Sequence, residues 1–374
     1  MNKKLSLFIG QFAGIRVFIH WTFWLILIWV FFSYYNINKN PQEGFEGVLF
    51  ILALFACVVL HEFGHALTAK RYGIKTRNIT LYPIGGVASL ESLPEQPGRE
   101  FMVAVAGPLV NVVIAGILWM YLSFSGQMPD FEALQNADPE DLNGMTLPFS
   151  FNLLMANVIL VAFNLIPAFP MDGGRMLRAL LAFKMERSKA TRLAASIGQI
   201  LAIAFIFLGF FYNFWLVIIG FFIYIGAGSE ANMETIRTNL SDNKVRDVIM
   251  KKFSILLPQD TLEKAVRILL DSQEQEFIVA ENEQVVGVLT RKELIKGLSD
   301  HGKNYPVSEV MSKDFMILHP EMPLKEVYVK MLTKGCSVGP VLEDGKLIGV
   351  VDKTNIDELL MVESALRNDD ERSQ

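Results

Sequence analysis

The sequence predicts a polytopic α-helical membrane domain, with about six transmembrane helices and a re-entrant β-hairpin, followed by a soluble α/β domain. Three observations predict this fold class. Hydrophobic residues occupy 52% of the 374 positions, which is more than soluble proteins usually carry. The long apolar runs all lie before about residue 230. From about residue 240 onward the composition is that of a soluble chain, and the chain repeats itself.

Apolar stretches of roughly 20 residues are long enough to cross the hydrocarbon core of a bilayer as helices. Six spans are predicted, at residues 16–35, 45–70, 101–124, 150–167, 193–211 and 213–229. No small-residue cleavage site follows the first of them, so we expect it to be retained rather than removed as a signal peptide.

Charged residues between the spans predict the orientation. Lys and Arg cluster after the second and the fourth span, whereas residues 127–145 after the third span carry acidic charges only. Basic loops stay in the cytoplasm. We therefore expect a multi-pass protein of the cell (inner) membrane, with its N-terminus and its soluble domain in the cytoplasm and the lipid bilayer as a partner.

Residues 79–90, between the second and third spans, read as two short strands around Pro83 and a Gly pair. The segment is apolar but too short to span as a helix. Non-helical backbone at membrane depth is tolerated only beside protein or a cavity. Two interpretations stay open: a re-entrant hairpin beside a functional site, or an ordinary surface hairpin.

An HExxH motif lies within the second span, as the run His61, Glu62, Phe63, Gly64 and His65. Positions i and i+4 share a helix face, so both imidazoles can reach one metal ion, and Glu62 can take a proton from a metal-activated water. HExxH also arises by chance, because it fixes only three positions. The chain has only 5 histidines, which makes a chance match rarer.

A catalytic zinc usually has three protein ligands and one open position. Asp172, which follows Pro167 and Pro170 at the end of the fourth span, is the best candidate for the third ligand. An ionisable residue at such a place is a functional hypothesis by default. The alternative is that Asp172 is a helix cap or a turn residue. The second and fourth spans run in the same direction, so their ends meet at one depth.

Three segments together resemble the site-2 protease family of intramembrane zinc metalloproteases (peptidase M50-like). They are the HEFGH run at 61–65, the AGPLVN run at 106–111, and residues 164–174, which are similar to the N-x-x-P…DG signature of the family. Met171 departs from that signature, where Leu is more frequent. The resemblance implies one Zn²⁺ per chain, held by His61, His65 and Asp172. It also implies that Glu62 is the catalytic base.

The resemblance further implies the kind of substrate, namely a transmembrane segment of a membrane-anchored protein, cleaved in regulated intramembrane proteolysis. Asn111 and Asn164 lie in apolar helices and must find partners there. They either bind the unwound substrate backbone and the developing oxyanion, or they bond to neighbouring helices. His20 is expected to be structural or to line a cavity.

Residues 245–297 and 307–359 superimpose without a gap at an offset of 62 positions. A repeat at a fixed period indicates duplicated structural units. Each unit reads as helix, strand, helix, strand, strand, helix. The two units resemble a tandem pair of CBS domains, a module that often binds adenine nucleotides in its central cleft. The resemblance implies ATP or another adenine nucleotide as a ligand and a homodimer through these domains.

The nucleotide-binding residues are less well defined. The end of the family pattern, G-h-h-[ST]-x-x-D, is imperfect in both repeats. In the first repeat, Thr290 occupies the Ser/Thr position of the pattern and Glu293 occupies its final Asp position. In the second repeat, Asp352 occupies the Ser/Thr position. The alternative is a dimerising or purely structural module, because a fold does not establish a function.

These observations predict a transmembrane metalloprotease domain at 1–230, a linker at 231–244, CBS repeats at 245–300 and 307–362, and a disordered tail at 363–374. The leading hypothesis is an intramembrane zinc endopeptidase modulated by its CBS pair. A CBS-regulated channel or transporter is the alternative. That class predicts polar residues spread through several spans, whereas here they concentrate at His61, Glu62, His65 and Asp172. The net charge of −5 is mild, and no nucleic-acid partner is expected.

Overall fold

A computed structural model of the chain describes residues 6–83, 85–90, 94, 96–129, 147–272, 274–282 and 284–372. The chain divides into two compact units, Asn2–Asn232 and Met233–Gln374. They are named the membrane unit and the C-terminal unit below. The acidic segment predicted to lie outside the cell, 127–145, falls almost entirely outside the described residues.

The membrane unit begins with a β-hairpin, and a second hairpin separates its first two helices from the rest. In chain order its elements are β1 (Ser6–Phe12), β2 (Ile15–His20), α1 (Phe23–Asn38), α2 (Pro41–Arg71), β3 (Thr76–Tyr82), β4 (Gly85–Leu90), α3 (Pro97–Ser125), α4 (Phe149–Asn164), α5 (Asp172–Ala182), α6 (Arg187–Phe211) and α7 (Phe214–Asn239).

Among the described residues, four helices are long and apolar enough to cross a membrane: α2, α3, α6 and α7. The helices α1 and α4 are apolar but shorter, with 16 residues each. The first predicted span, 16–35, is wrong at its start, because Ile15–His20 form a strand and the helix begins at Phe23. Ile15 and Val17, two residues apart, are both buried, which is the alternation of a strand rather than a helix.

The four strands of the membrane unit form one sheet in the order β1-β2-β3-β4. The outer pairs are antiparallel hairpins, and β2 and β3 run parallel in the middle. Strand β4 is therefore an edge strand of this sheet. The two strands predicted within residues 79–90 belong to β3 and β4. That this hairpin enters the membrane stays a prediction.

The helix α3 lies at the centre of the unit and packs against α2, α4 and α5. This packing brings together residues that are far apart in the sequence. The motif helix α2, the AGPLVN run of α3 and the start of α5 thereby become neighbours.

The C-terminal unit contains the predicted repeat. In the first copy a 3₁₀ turn (Val245–Val248) precedes β5 (Ile255–Leu256), α8 (Leu262–Ser272), β6 (Glu276–Glu281), β7 (Gln284–Thr290) and α9 (Arg291–His301). In the second copy a 3₁₀ turn (Val307–Glu309) precedes α10 (Leu324–Lys334), β8 (Val338–Glu343), β9 (Lys346–Asp352) and α11 (Lys353–Arg372).

The two copies match element by element, with a short 3₁₀ turn where a first helix was predicted. A parallel bridge between Leu318 and Val341 takes the place of β5 in the second copy. A shared apolar cluster joins them, formed by Ile278, Val288, Val338 and Val350. The helix α11 continues to Arg372. The disordered tail at 363–374 stays a prediction.

Candidate metal centre

The structure brings His61, His65 and Asp172 together. The histidines lie one turn apart on α2, and Asp172 is the first residue of α5. Asp172 Oδ2 lies 3.2 Å from His61 Nε2 and 3.0 Å from His65 Nε2, and the two Nε2 atoms are 3.1 Å apart. All three side chains are buried, with exposed fractions of 6%, 6% and 7%. Among the described residues, this is the one cluster of His, Cys, Asp and Glu close enough to hold a metal ion.

The hydrogen bonds of the other ring nitrogens determine which atoms face the centre. His65 Nδ1 lies 2.7 Å from the carbonyl oxygen of Val103, which can only accept, so Nδ1 must carry the proton. His61 Nδ1 lies 2.5 Å from Asn111 Oδ1, another acceptor. With both protons on Nδ1, the neutral imidazoles present the lone pairs of Nε2 to the centre.

With both imidazoles neutral, three acceptor atoms converge, which is unfavourable unless a cation lies among them. The donor set suits zinc. With bond lengths of about 2.0–2.1 Å, tetrahedral ligand atoms lie about 3.3 Å from one another. The observed separations of 3.0–3.2 Å are close to that value. Two imidazoles and one carboxylate also leave a fourth position, as in catalytic zinc sites.

Two hydrogen-bonded side-chain amides orient the His61 ring through its Nδ1 atom. Asn111 Nδ2 donates to Asn157 Oδ1 at 2.8 Å, and Asn157 Nδ2 donates to the Leu153 carbonyl at 2.8 Å. Each bond settles the orientation of the next amide, so Asn111 must present its oxygen to His61. Asn111 and Asn157 are both fully buried. Sequence reasoning missed Asn157, although an Asn in the middle of an apolar span was a signal that could have found it.

Glycines let α3 approach the centre. A Cβ on Gly107 would overlap His65 Nε2 and lie 2.7 Å from His61 Nε2. A Cβ on Gly64, between the two histidines, would lie 2.6 Å from the Ala106 carbonyl oxygen. Any larger residue at either position would push α2 and α3 apart. The AGPLVN run therefore supplies close helix packing through Gly107 and a histidine partner through Asn111.

Asp172 is held by the tight turn between α4 and α5. The turn contains the fully buried Ala168 and Phe169, and the chain reaches Asp172 from Met171 in an extended conformation. A Cβ on Gly173 would overlap the Ile166 carbonyl oxygen, so the Gly pair lets α5 start directly against this turn. The prolines and glycines around Asp172 thus turn the chain and aim a carboxylate into the helix bundle.

Glu62 lies next to the edge strand β4. A Cβ on Gly86 would come within 2.8 Å of Glu62 Cγ, so β4 passes directly beside this side chain. Glu62 follows His61 on the same helix and is half-buried. The structure thereby places a carboxylate, an open strand edge and the three converging ligand atoms in one region.

Two predicted polar residues lie apart from the three converging atoms. Asn164 is the last residue of α4, and within the described part of the chain its side chain makes no hydrogen bond to His61, His65 or Asp172. His20 Nδ1 contacts Thr22 Oγ1 at 2.8 Å, and its ring lies 5.0 Å from that of Tyr82. These contacts agree with a structural role for His20.

In the C-terminal unit, the residues predicted to contact a nucleotide serve as helix caps. Thr290 and Glu293 form a reciprocal capping box at the start of α9. Asp352 Oδ1 accepts from the Asn355 backbone N–H at 2.6 Å at the start of α11. The pKa of the neighbouring Glu276 is raised to about 7, mainly by burial and also by the charges of Asp352 and Glu293. These bonds agree with the structural alternative.

Comparison with known proteins supports the motif analysis. Residues 49–205 match peptidase family M50, and residues 245–300 and 307–362 match CBS domains. A zinc metalloprotease of Methanocaldococcus jannaschii is 34% identical over 358 residues, which cover 95% of this chain and 96% of that protein. Stage IV sporulation protein FB of Bacillus subtilis is 30% identical over 145 residues, covering 38% of this chain and 44% of that protein.

A solved structure, the site-2 protease from Methanocaldococcus jannaschii, shares 36% identity, with 60% of this chain and 95% of that chain covered at a TM-score of 0.43. The chain belongs to the site-2 protease family of zinc metalloproteases, peptidase family M50, and carries a C-terminal pair of CBS domains. The family and the enzyme class predicted from the three motifs are confirmed.

Proposed function

We propose that this chain is an intramembrane zinc endopeptidase that cleaves a transmembrane segment of a membrane-anchored protein. The observation that carries the proposal is the convergence of His61, His65 and Asp172 within a bundle of apolar helices. In soluble proteases such a centre faces water. Here α2, which carries two of the ligand atoms, has the length and composition of a span.

His61, His65 and Asp172 would hold Zn²⁺, which when bound polarises the scissile carbonyl and activates the attacking water. Glu62 takes the proton from that water and delivers it to the leaving amine. Asn111 keeps His61 oriented. Both ends of its amide are already hydrogen-bonded, which favours the interhelical role over oxyanion binding. Asn164 stays a candidate for a substrate contact.

The edge strand β4 is the proposed docking site for the substrate backbone. A peptide must be extended before water can attack it, and an open strand edge offers main-chain hydrogen bonds to an extended segment. Since β4 passes beside Glu62, a strand added there would lie next to the general base. In this proposal the β3–β4 hairpin enters the membrane, so that unwinding and cleavage take place together.

The proposed orientation puts the N-terminus and the CBS pair in the cytoplasm, with six crossings. The clusters of Lys and Arg after α2 and α5 support it. For the CBS pair we propose an adenine-nucleotide ligand that modulates cleavage, and a homodimer formed through these domains. Glu276, Glu293 and Asp352 lie close enough for the charges of the latter two to raise the pKa of Glu276. Such a group of carboxyl groups favours ligands with few phosphate groups over ATP.

The test is the substitution Glu62→Gln, with Glu46→Gln on the same helix as the matched control. Purified full-length protein in detergent is incubated with a candidate membrane-anchored substrate. We expect Glu62→Gln to abolish cleavage while one zinc per chain is retained, and Glu46→Gln to cleave like wild type. Cleavage that survives Glu62→Gln would contradict the mechanism, and loss of zinc in this variant would make Glu62 a ligand instead.

A further inference from the structure

Arg178 is a buried cation away from the converging ligand atoms. Its side chain has an exposed fraction of 0% and lies in the middle of α5. Nε donates to Glu100 Oε1 of α3 at 2.8 Å, and Nη1 donates to Glu230 Oε1 of α7 at 2.8 Å. A buried guanidinium is costly unless it is fully paired, so these two carboxylates determine where α5 can lie.

A second arginine completes the network. Arg187, the first residue of α6, donates from Nη1 to Glu100 Oε2 at 2.8 Å and to the Pro94 carbonyl at 2.9 Å. Both oxygens of Glu100 are thereby engaged by guanidinium groups. Two cations and two anions from α3, α5, α6 and α7 form one neutral cluster, which we call the arginine clamp.

The arginine clamp holds the chain on both sides of Asp172. Arg178 follows Asp172 by six residues on α5, or about 9 Å along the helix. Its guanidinium carbon also lies 5.1 Å from the centre of the Phe169 ring, and Phe169 belongs to the turn that leads into Asp172. The turn and the helix that flank Asp172 are therefore fastened to one side chain.

We propose that Arg178 is a positioning residue for the metal ligand Asp172. This inference rests on the proposed function, in which Asp172 binds zinc. Arg178 holds α5 and the preceding turn at the distance from α2 that brings Asp172 Oδ2 to the two imidazoles. Glu100 ties this arrangement to α3, which also carries Asn111. Glu230 ties it to α7.

Two readouts on the full-length protein test this role. The zinc affinity is measured by competition with a chelator, and Co²⁺ substituted for zinc reports the ligand geometry through its visible spectrum. The variants are Arg178→Gln, Arg178→Lys and Glu230→Gln. The matched control is Arg99→Gln, since Arg99 is exposed, adjoins Glu100 and stacks on Tyr72 instead.

We expect Arg178→Gln to weaken zinc binding about tenfold, as for residues that orient metal ligands, and to change the cobalt spectrum. Arg178→Lys keeps the charge but loses the planar guanidinium. Glu230→Gln keeps an acceptor oxygen for Arg178 but loses its negative charge. Both should therefore give smaller losses of zinc affinity. Arg99→Gln should match wild type. The melting temperature with and without zinc is compared as well, and the stabilisation by zinc should shrink in Arg178→Gln.

Folded Arg178→Gln with wild-type zinc affinity and cobalt spectrum would overturn the inference. So would an equal fall of the melting temperature with and without zinc, because that result indicates a structural role only. If Arg178→Gln does not fold, Arg178→Lys and Glu230→Gln decide, and wild-type zinc affinity in both overturns the inference. A wild-type protein that binds no zinc contradicts the proposed function instead.

Discussion

The two units use their polar side chains in different ways. In the membrane unit, His61 bonds Asn111 across 50 positions of sequence, and His65 contacts Asp172 across 107. In the C-terminal unit, Thr290 and Asp352 bond backbone groups three positions away. Long-range contacts bring side chains from distant parts of the sequence to one point. Local bonds from a side chain to the backbone instead serve as helix caps. The comparison indicates a reaction centre in the first unit, whereas Thr290 and Asp352 in the second serve as helix caps.

The largest effect is expected from Gly107→Ala. The added Cβ would overlap His65 Nε2, so α3 must move away from α2 or the imidazole must turn out of the centre. Zinc binding and cleavage should both be lost. The matched control is Gly116→Ala on the same helix, where a Cβ meets nothing within 4 Å. Metal content by mass spectrometry and cleavage assays check the pair, and full zinc occupancy in Gly107→Ala would contradict the geometry.

Asn157→Leu should weaken zinc binding, but less than Gly107→Ala does. Without its oxygen, nothing fixes the amide of Asn111, which can then turn its NH₂ toward His61 and oppose the Nδ1–H tautomer. Zinc affinity should fall about 10–100-fold, the range for residues behind a metal-bound histidine.

The matched control for Asn157→Leu is Asn152→Leu, one turn and a half earlier on α4, where the side chain is exposed and bonds only the Leu147 carbonyl. A chelator titration compares the two variants. Equal zinc affinities would show that the amide chain does not act on His61.

A moderate effect of pH is expected on the stability of the C-terminal unit. Burial raises the pKa of Glu276 from 4.5 to about 7, and one of its oxygens is buried without a hydrogen bond among the described residues. Below pH 4.5 the Glu276 carboxyl is protonated in both the folded and the unfolded state. As pH rises through about 7 the folded state must ionise a half-buried group, so stability falls. The loss is on the order of 1–2 kcal/mol after allowance for solvent screening.

Hydrogen exchange of full-length protein between pH 5 and 8, followed in peptides from β6 and β7, measures this loss. Glu276→Gln should flatten the pH dependence, whereas Glu281→Gln, at an exposed position on the same strand, should keep it. An unchanged pH dependence in Glu276→Gln would show that another group titrates.

The smallest effect is expected from Thr290→Val. The substitution removes the hydroxyl cap of α9 and should destabilise that helix by about 1 kcal/mol. If Thr290 only caps the helix, hydrogen exchange in α9 speeds up and the affinity for AMP, measured by calorimetry, stays the same. A loss of AMP binding greater than tenfold would instead make Thr290 a ligand contact and weaken the contrast between the two units.

The sequence indicated which three ionisable side chains converge, whereas it misplaced the start of the first helix. His61, His65 and Asp172 could be found because ionisable residues in apolar spans are costly and have few other uses. The start of the first span was wrong, because Ile15–His20 form a strand whose apolar residues shortly precede the apolar helix. Hydropathy measures burial in any apolar environment and does not distinguish a short strand from a helix.

The roles of Arg178 and Asn157 could not be derived from the sequence for another reason. Their partners, Glu100, Glu230 and Asn111, lie 46–78 positions away, and only the packing of the helices brings them within reach. Arg178 was counted among the basic residues that indicate orientation. Its burial shows that a positive charge near a span also serves the interior of the bundle.

The central claim is that two imidazoles and one carboxylate bind zinc between α2 and α5. X-ray absorption at the zinc edge of the purified full-length protein tests this claim most directly. The predicted spectrum shows one zinc per chain with two imidazole nitrogens, the remaining ligands being oxygen, and it changes in His65→Ala. A ligand shell without imidazole, a shell containing sulfur, or a spectrum unaffected by His65→Ala would contradict the account.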